Sequence, residues 1–340
     1  MAQRTEARIT ETAPALPAAR GPLSSAVVTA LRSGSTGPLP AAGARTGDGF
    51  GEDLQLALYT CYELHYQGFG DVDPAWEWEP ELLRLRRVME RRFLSAMRSA
   101  LPGGDDPDAA LRQVLHEPPG ATGVSGHLRD VGEWWQMREL LAHRSLYHLK
   151  EADPHAWVIP RLRGRAKAAL VAVEFDEFGG GRAERMHSRL FADLMRDAGL
   201  DPEYGRYLDA VPAVTLATVN MMSLFGLHRA LRGALVGHFA AAEITTPPAA
   251  QRIADALERL GAGPRCTLFY TEHVEADAVH EQVLRRDVVG DLIAHEPDLA
   301  ADVVLGVQAT EFLEGRLATH LLDSWRAGRS SLRSALPPRD

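Results

Sequence analysis

Three side chains able to bind a metal stand at i, i+4 and i+7 in His273-Val-Glu-Ala-Asp277-Ala-Val-His280. On an α-helix these positions share one stripe over about two turns. Cys266 to Leu284 contains no Pro or Gly, so a continuous helix is expected there. Two imidazoles and a carboxylate suit a borderline first-row metal, and Fe(II), Mn(II) and Zn(II) all fit that donor set. The competing reading is a hydrogen-bonded surface helix.

One stripe is not a site, and facing helices must complete it. Asp277-x-x-His280 has the spacing of the Glu-x-x-His pairs found in di-iron bundles, with Asp in place of Glu. Glu177 and His187 are ten residues apart and flank Gly179-Gly180-Gly181. On an unbroken helix they would stand about 15 Å apart, too far to share an ion. The glycines permit a kink or tight loop that turns both inward. Glu243 follows a largely apolar stretch and needs a partner if buried. Other polar groups read as structural. Glu63 and His65, at i and i+2, point to different helix faces. Trp76 and Trp78 read as packing under a loop. Arg161, Arg163 and Arg165 could hold a substrate carboxylate, although a solvated face is the commoner role.

A chain of 340 residues with 45% apolar and 24% charged content is globular, with room for one large domain or two ordinary ones. A net charge of −9 offers no general attraction for nucleic acid or anionic lipid. Cys61 and Cys266 form no CxxC pair, no secretory signal is visible, and a cytoplasmic protein is expected. Residues 210–228 carry no formal charge but contain Pro212, Thr215, Asn220 and His228, which favours a buried core helix over a membrane span. Residues 1–50, rich in Ala, Pro, Gly and Ser, read as mostly disordered, with a short helix near 24–31. From 51 to 326 the pattern is helical: 54–66, 80–100, 108–115, 126–151, 155–175, 183–198, 214–242, 249–260, 266–284 and 299–325. No run alternates with period two, so the class is all-α, and residues 327–340 read as a loose tail.

Taken together, Glu177, His187 and Glu243, followed some thirty residues later by His273, Asp277 and His280, resemble the haem-oxygenase-like di-iron oxidases and oxygenases, also called iron-containing redox enzymes. Glu177-Phe-Gly-Gly-Gly, His187-Ser-Arg-Leu-Phe, Leu56-Ala-Leu-Tyr-Thr-Cys-Tyr-Glu-Leu-His-Tyr66 and Asp153-Pro-His-Ala-Trp157 carry the same likeness, which spans roughly residues 53–325. The resemblance implies a seven-helix core without haem. It implies two Fe(II) ions per chain, held by Glu177, His187, Glu243, His273, Asp277 and His280, with O2 as co-substrate. Some members add a carboxylate from an earlier helix, for which Glu151 and Glu174 are candidates, with His155 a neighbouring one. No catalytic residue beyond the metal ligands is implied. The family's reactions include amine N-oxygenation, oxidative C–C cleavage and desaturation of amino or fatty acids. Some relatives carry a separate cupin domain, for which this chain is too helical.

The expected function is therefore an O2-activating, iron-dependent oxidoreductase acting on a small amine, amino acid or acyl substrate. An external electron donor and a homodimer are compatible with it; a nucleic-acid or membrane partner is not expected. The alternatives are a mononuclear zinc or manganese hydrolase built on the same helix, and a non-catalytic helical ligand-binding protein.

Overall fold

The computed structural model describes residues 13–115 and 123–336, with the side chains of 275–279 outside that set. Among the described residues there are helices and turns but no strand. The α-helices in chain order are α1 Pro22–Ser33, α2 Ala42–Thr46, α3 Glu52–Glu63, α4 Pro80–Ala100, α5 Pro107–Leu115, α6 Val124–Asp130, α7 Trp134–His148, α8 Asp153–Ala156, α9 Gly164–Glu177, α10 His187–Asp197, α11 Ala213–Leu227, α12 Arg232–Arg259, α13 Pro264–Val283, α14 Asp291–His295 and α15 Ala300–Arg326. A π-helical segment, Leu284–Gly290, continues α13.

Local chemistry explains the clearest of these. In α4 the Glu79 side chain accepts from the Glu81 N–H and Pro80 opens the first turn. Leu82, Leu85, Met89, Phe93 and Met97 then recur at helical spacing and are buried. The uncharged α11 is enclosed by protein on nearly every side, as expected of a core helix. Among the described residues no helix is long and apolar enough to cross a membrane.

Helix α12 is the axis of the bundle, packing on α13, α15, α6 and α5. It crosses α15 at backbone contact distance. A Cβ on Gly306 would lie 1.9 Å from the Ala234 carbonyl oxygen, and one on Gly237 would lie 2.1 Å from that of Val303. Pro247 and Pro248 sit within α12, where they remove two helical N–H donors. The helix continues through them to Arg259, so the expected separate helix over 249–260 is its second half.

Three expected helices are broken instead. The 126–151 run divides at Val131-Gly132, the 155–175 run at Ile159–Arg161, and the 214–242 run at Arg229–Leu231. The chain ends also differ from expectation. Residues 13–50 are ordered on the bundle, with Val27, Val28 and Leu31 of α1 buried. Asp53 supplies what α1 lacks locally: its carboxylate accepts from the Leu23 N–H at 2.9 Å, the Ser24 N–H at 2.7 Å and the Ser24 hydroxyl at 2.6 Å. After α15, Ser331 is buried and its backbone and hydroxyl both donate to Glu139, so the tail is pinned at that point. Residues 1–12 and 337–340 lie outside the described residues.

Candidate metal centre

Four helices and one turn deliver six side chains to one place. Helix α13 presents His273 and His280 two turns apart, and α12 presents Glu243 just before its proline pair. Glu177 ends α9 and His187 begins α10. Glu151 comes from the turn after α7. Their atoms form two sets close enough to share an ion each: Glu151, His187 and His273, and Glu177, Glu243 and His280. All six are only 3–7% exposed.

The glycine run creates this closure. Gly179, Gly180 and Gly181 have φ of 76°, 61° and 79°, in the left-handed region that disfavours side chains. A Cβ on Gly179 would lie 2.6 Å from the Met186 amide nitrogen. The chain therefore folds back on itself, and His187 Nδ1 comes within 2.8 Å of Glu177 Oε2. The other Glu177 oxygen, Oε1, is 3.6 Å from His280 Nδ1, which is 3.3 Å from Glu243 Oε2. Glu177 thus faces both sets.

Flanking groups orient the imidazoles. His273 Nδ1–H donates to the Phe269 carbonyl at 2.7 Å, which turns Nε2 toward Glu151 at 3.6 Å. His280 Nε2–H donates to Asp176 at 3.2 Å, which leaves Nδ1 toward Glu177 and Glu243. His148 Nδ1–H donates to Glu151 Oε1 at 2.7 Å. Burial raises the Glu151 pKa, but His148 and His273 outweigh it and hold the carboxyl well below its ordinary range. Phe191 and Phe269 pack against the His148 ring, at 4.8 and 5.0 Å between centroids.

Glu174 lies one turn before Glu177, buried but outside both sets. Burial, then Glu177 and Glu243, push its pKa up to about 9. His155 also stands apart, stacked on Phe239 at 4.1 Å. Asp277 is on α13, but its side chain lies outside the described residues. Glu151, which the resemblance offers only as an added carboxylate, joins a triad. Sequence reasoning missed His148 and Asp176, although His148-x-x-Glu151 is a helical i, i+3 pair that could have been noticed. Glu63 and His65 do enter different networks, Glu63 with Lys150 and His65 with Glu77 and Arg86. Trp76 is buried, whereas Trp78 is exposed. Arg161 caps the carbonyls of Gly226 and Leu227 at the end of α11.

The donor set fits cations. Among the described residues, Glu151 Oε2, Glu177 Oε1 and both oxygens of Glu174 are buried without a hydrogen-bond partner. Four buried carboxylates (Glu151, Glu174, Glu177 and Glu243) crowd acidic oxygens into one place, and two divalent ions would offset that charge. A family profile described as iron-containing redox enzyme matches residues 138–315, more than half of the chain and the whole of the site. Nitrosourea synthase from Streptomyces achromogenes subsp. streptozoticus is 25% identical over 161 residues, which cover 47% of this chain and 34% of that protein. The chain spans about a third of the length of the curated relative it matches. The chain belongs to the iron-containing redox enzyme family, and its described residues form an all-α fold.

Proposed function

We propose that the protein is a non-haem di-iron oxidase or oxygenase that oxidises a small amine, amino acid or acyl substrate. The observation that carries this reading is the pair of triads facing one carboxylate, Glu177. Glu151, His187 and His273 would hold one ion. Glu177, Glu243 and His280 would hold the other, with Asp277 added from the same stripe of α13. Bound iron would supply the capacity to reduce O2 and so to oxidise an organic substrate.

The chain's own residues perform the supporting work. Phe269 and Asp176 fix which imidazole nitrogen of His273 and His280 carries the proton, so the opposite nitrogen is a ready electron-pair donor. His148 keeps Glu151 ionised and aimed. Phe191 and Phe269 are buried against His148, and Phe269 also against His187 and His273, where they exclude water from the site. Among the candidate reactions, the name of the nitrosourea synthase relative favours N-oxygenation.

A mononuclear zinc or manganese hydrolase would use one triad and leave the other without a role. Anaerobic Fe(II) titration followed by an O2-consumption screen against amines, amino acids and fatty acids separates the readings. Two tightly bound Fe(II) per chain and substrate-dependent O2 uptake are expected. Absence of tight Fe(II) binding, or one zinc per chain with no O2 uptake, would overturn the proposal.

A further inference from the structure

Glu63 ends α3, and Lys150 lies 87 residues later in the turn after α7. Their charges meet at 2.7 Å with side chains only 1% and 2% exposed. Glu63 Oε1 also accepts from the Tyr204 hydroxyl at 2.7 Å and the Gln67 N–H at 3.3 Å. The Lys150 ammonium sits over the Tyr66 ring at 4.2 Å and the Tyr59 ring at 4.9 Å. A buried ion pair is weak evidence of stabilisation, because desolvation offsets much of the attraction. Such a pair does fix where its two elements meet.

What it fixes here is the turn that carries Glu151. Lys150 is its immediate neighbour. On the other side, Ala152 has φ of 74°, a conformation that L residues rarely adopt and that surrounding contacts must hold in place. His148 orients the Glu151 carboxylate from within the same segment, whereas Lys150 ties that segment to α3. We infer that the Glu63–Lys150 pair is a positioning device that holds Glu151 in register with His187 and His273. This rests on the di-iron reading above. Neither Glu63 nor Lys150 belongs to a triad, so losing the pair should weaken one iron subsite and spare the other.

The test starts from the wild-type protein, titrated anaerobically with Fe(II); fewer than two bound ions there would overturn the di-iron reading itself. Lys150→Met combined with Glu63→Gln removes both charges of the pair with little change in volume, so neither partner is left as a lone buried charge. The expected result is a melting temperature near wild type, one ion bound as before, and the other bound roughly tenfold to a hundredfold more weakly. Wild-type affinity at both subsites, or equal weakening at both, overturns the inference. Should the double variant not fold, Tyr204→Phe removes only one bond to Glu63. A roughly threefold to tenfold weakening of a single ion is then expected, and unchanged binding of both ions overturns the inference.

Discussion

Glu177 and His187, ten residues apart in the chain, meet at 2.8 Å across a left-handed glycine turn. Because Glu177 also faces His280, its loss should be felt in both triads. Glu177→Ala is expected to weaken both ions by on the order of a hundredfold or more, whereas Glu243→Ala weakens mainly one. Metal content after gel filtration in Fe(II) measures this. Two retained ions in Glu177→Ala would remove the shared carboxylate from the account.

Gly179→Ala tests the turn without touching a ligand. Its φ of 76° strains any side chain, and the added Cβ would meet Met186 N at 2.6 Å. The strain is about 1–3 kcal/mol before the backbone clash is counted. The turn should open, separate Glu177 from His187 and lower iron content while leaving the far side of the bundle folded. Circular dichroism with metal analysis would show this as helicity retained and iron lost.

Asp176→Ala probes orientation alone. The Asp176 side chain is 60% exposed, so its removal should leave the melting temperature unchanged. His280 then loses its Nε2–H acceptor, and about a tenfold loss of metal affinity is expected. Unchanged affinity would show that α13 by itself sets the His280 ring.

Much of this could be read from the chain, and the gaps have physical causes. The α13 stripe and the glycine run were visible because they rest on short-range spacing and backbone sterics. Glu151 is less legible because it sits in a turn past the end of α7 rather than on a periodic helix face, held by Lys150 reaching a residue 87 positions away. The short helix at 24–31 is legible in the sequence as α1, but its docking on the bundle is not, because its cap is Asp53, about thirty residues downstream, and the segment around it has the composition of a linker. The break at Arg229–Leu231 and the passage of α12 through Pro247-Pro248 are tertiary outcomes, set by packing on α15 and α13 rather than by local preference.

His143 gives the fold a dependence on pH away from the metal ligands. It is buried, with Nδ1 2.6 Å from the Thr215 hydroxyl and Nε2 3.0 Å from that of Ser331. Burial, then His320 and Arg144, push its pKa down from 6.5 to about 3. The unfolded chain therefore takes up a proton first as the pH falls. The stability His143 contributes is complete above about pH 6.5 and is lost toward pH 3, at about 1.4 kcal/mol per pH unit. Urea unfolding from pH 7 to 4.5 should show a shallower decline for His143→Gln than for wild type. Parallel declines would mean that His143 is not the group responsible.

The crossing of α12 and α15 also places a ligand, because the same helix that touches α15 carries Glu243. Gly306→Ala would place a Cβ 1.9 Å from the Ala234 carbonyl oxygen, and backbone cannot yield as a side-chain tip does. The helices must separate, at a cost on the order of 3 kcal/mol or more. Separation would also disturb the His238–Thr310 bond, 2.7 Å long, one turn before the residues leading to Glu243. Iron content should fall together with the melting temperature. Gly315, further along α15, is the control: it is exposed and nothing lies within 4 Å of its Cβ position. Gly315→Ala should leave iron content unchanged and raise stability by roughly 0.5–1 kcal/mol through helix propensity. If both substitutions behave alike, close approach at Gly306 is not what sets the position of α12.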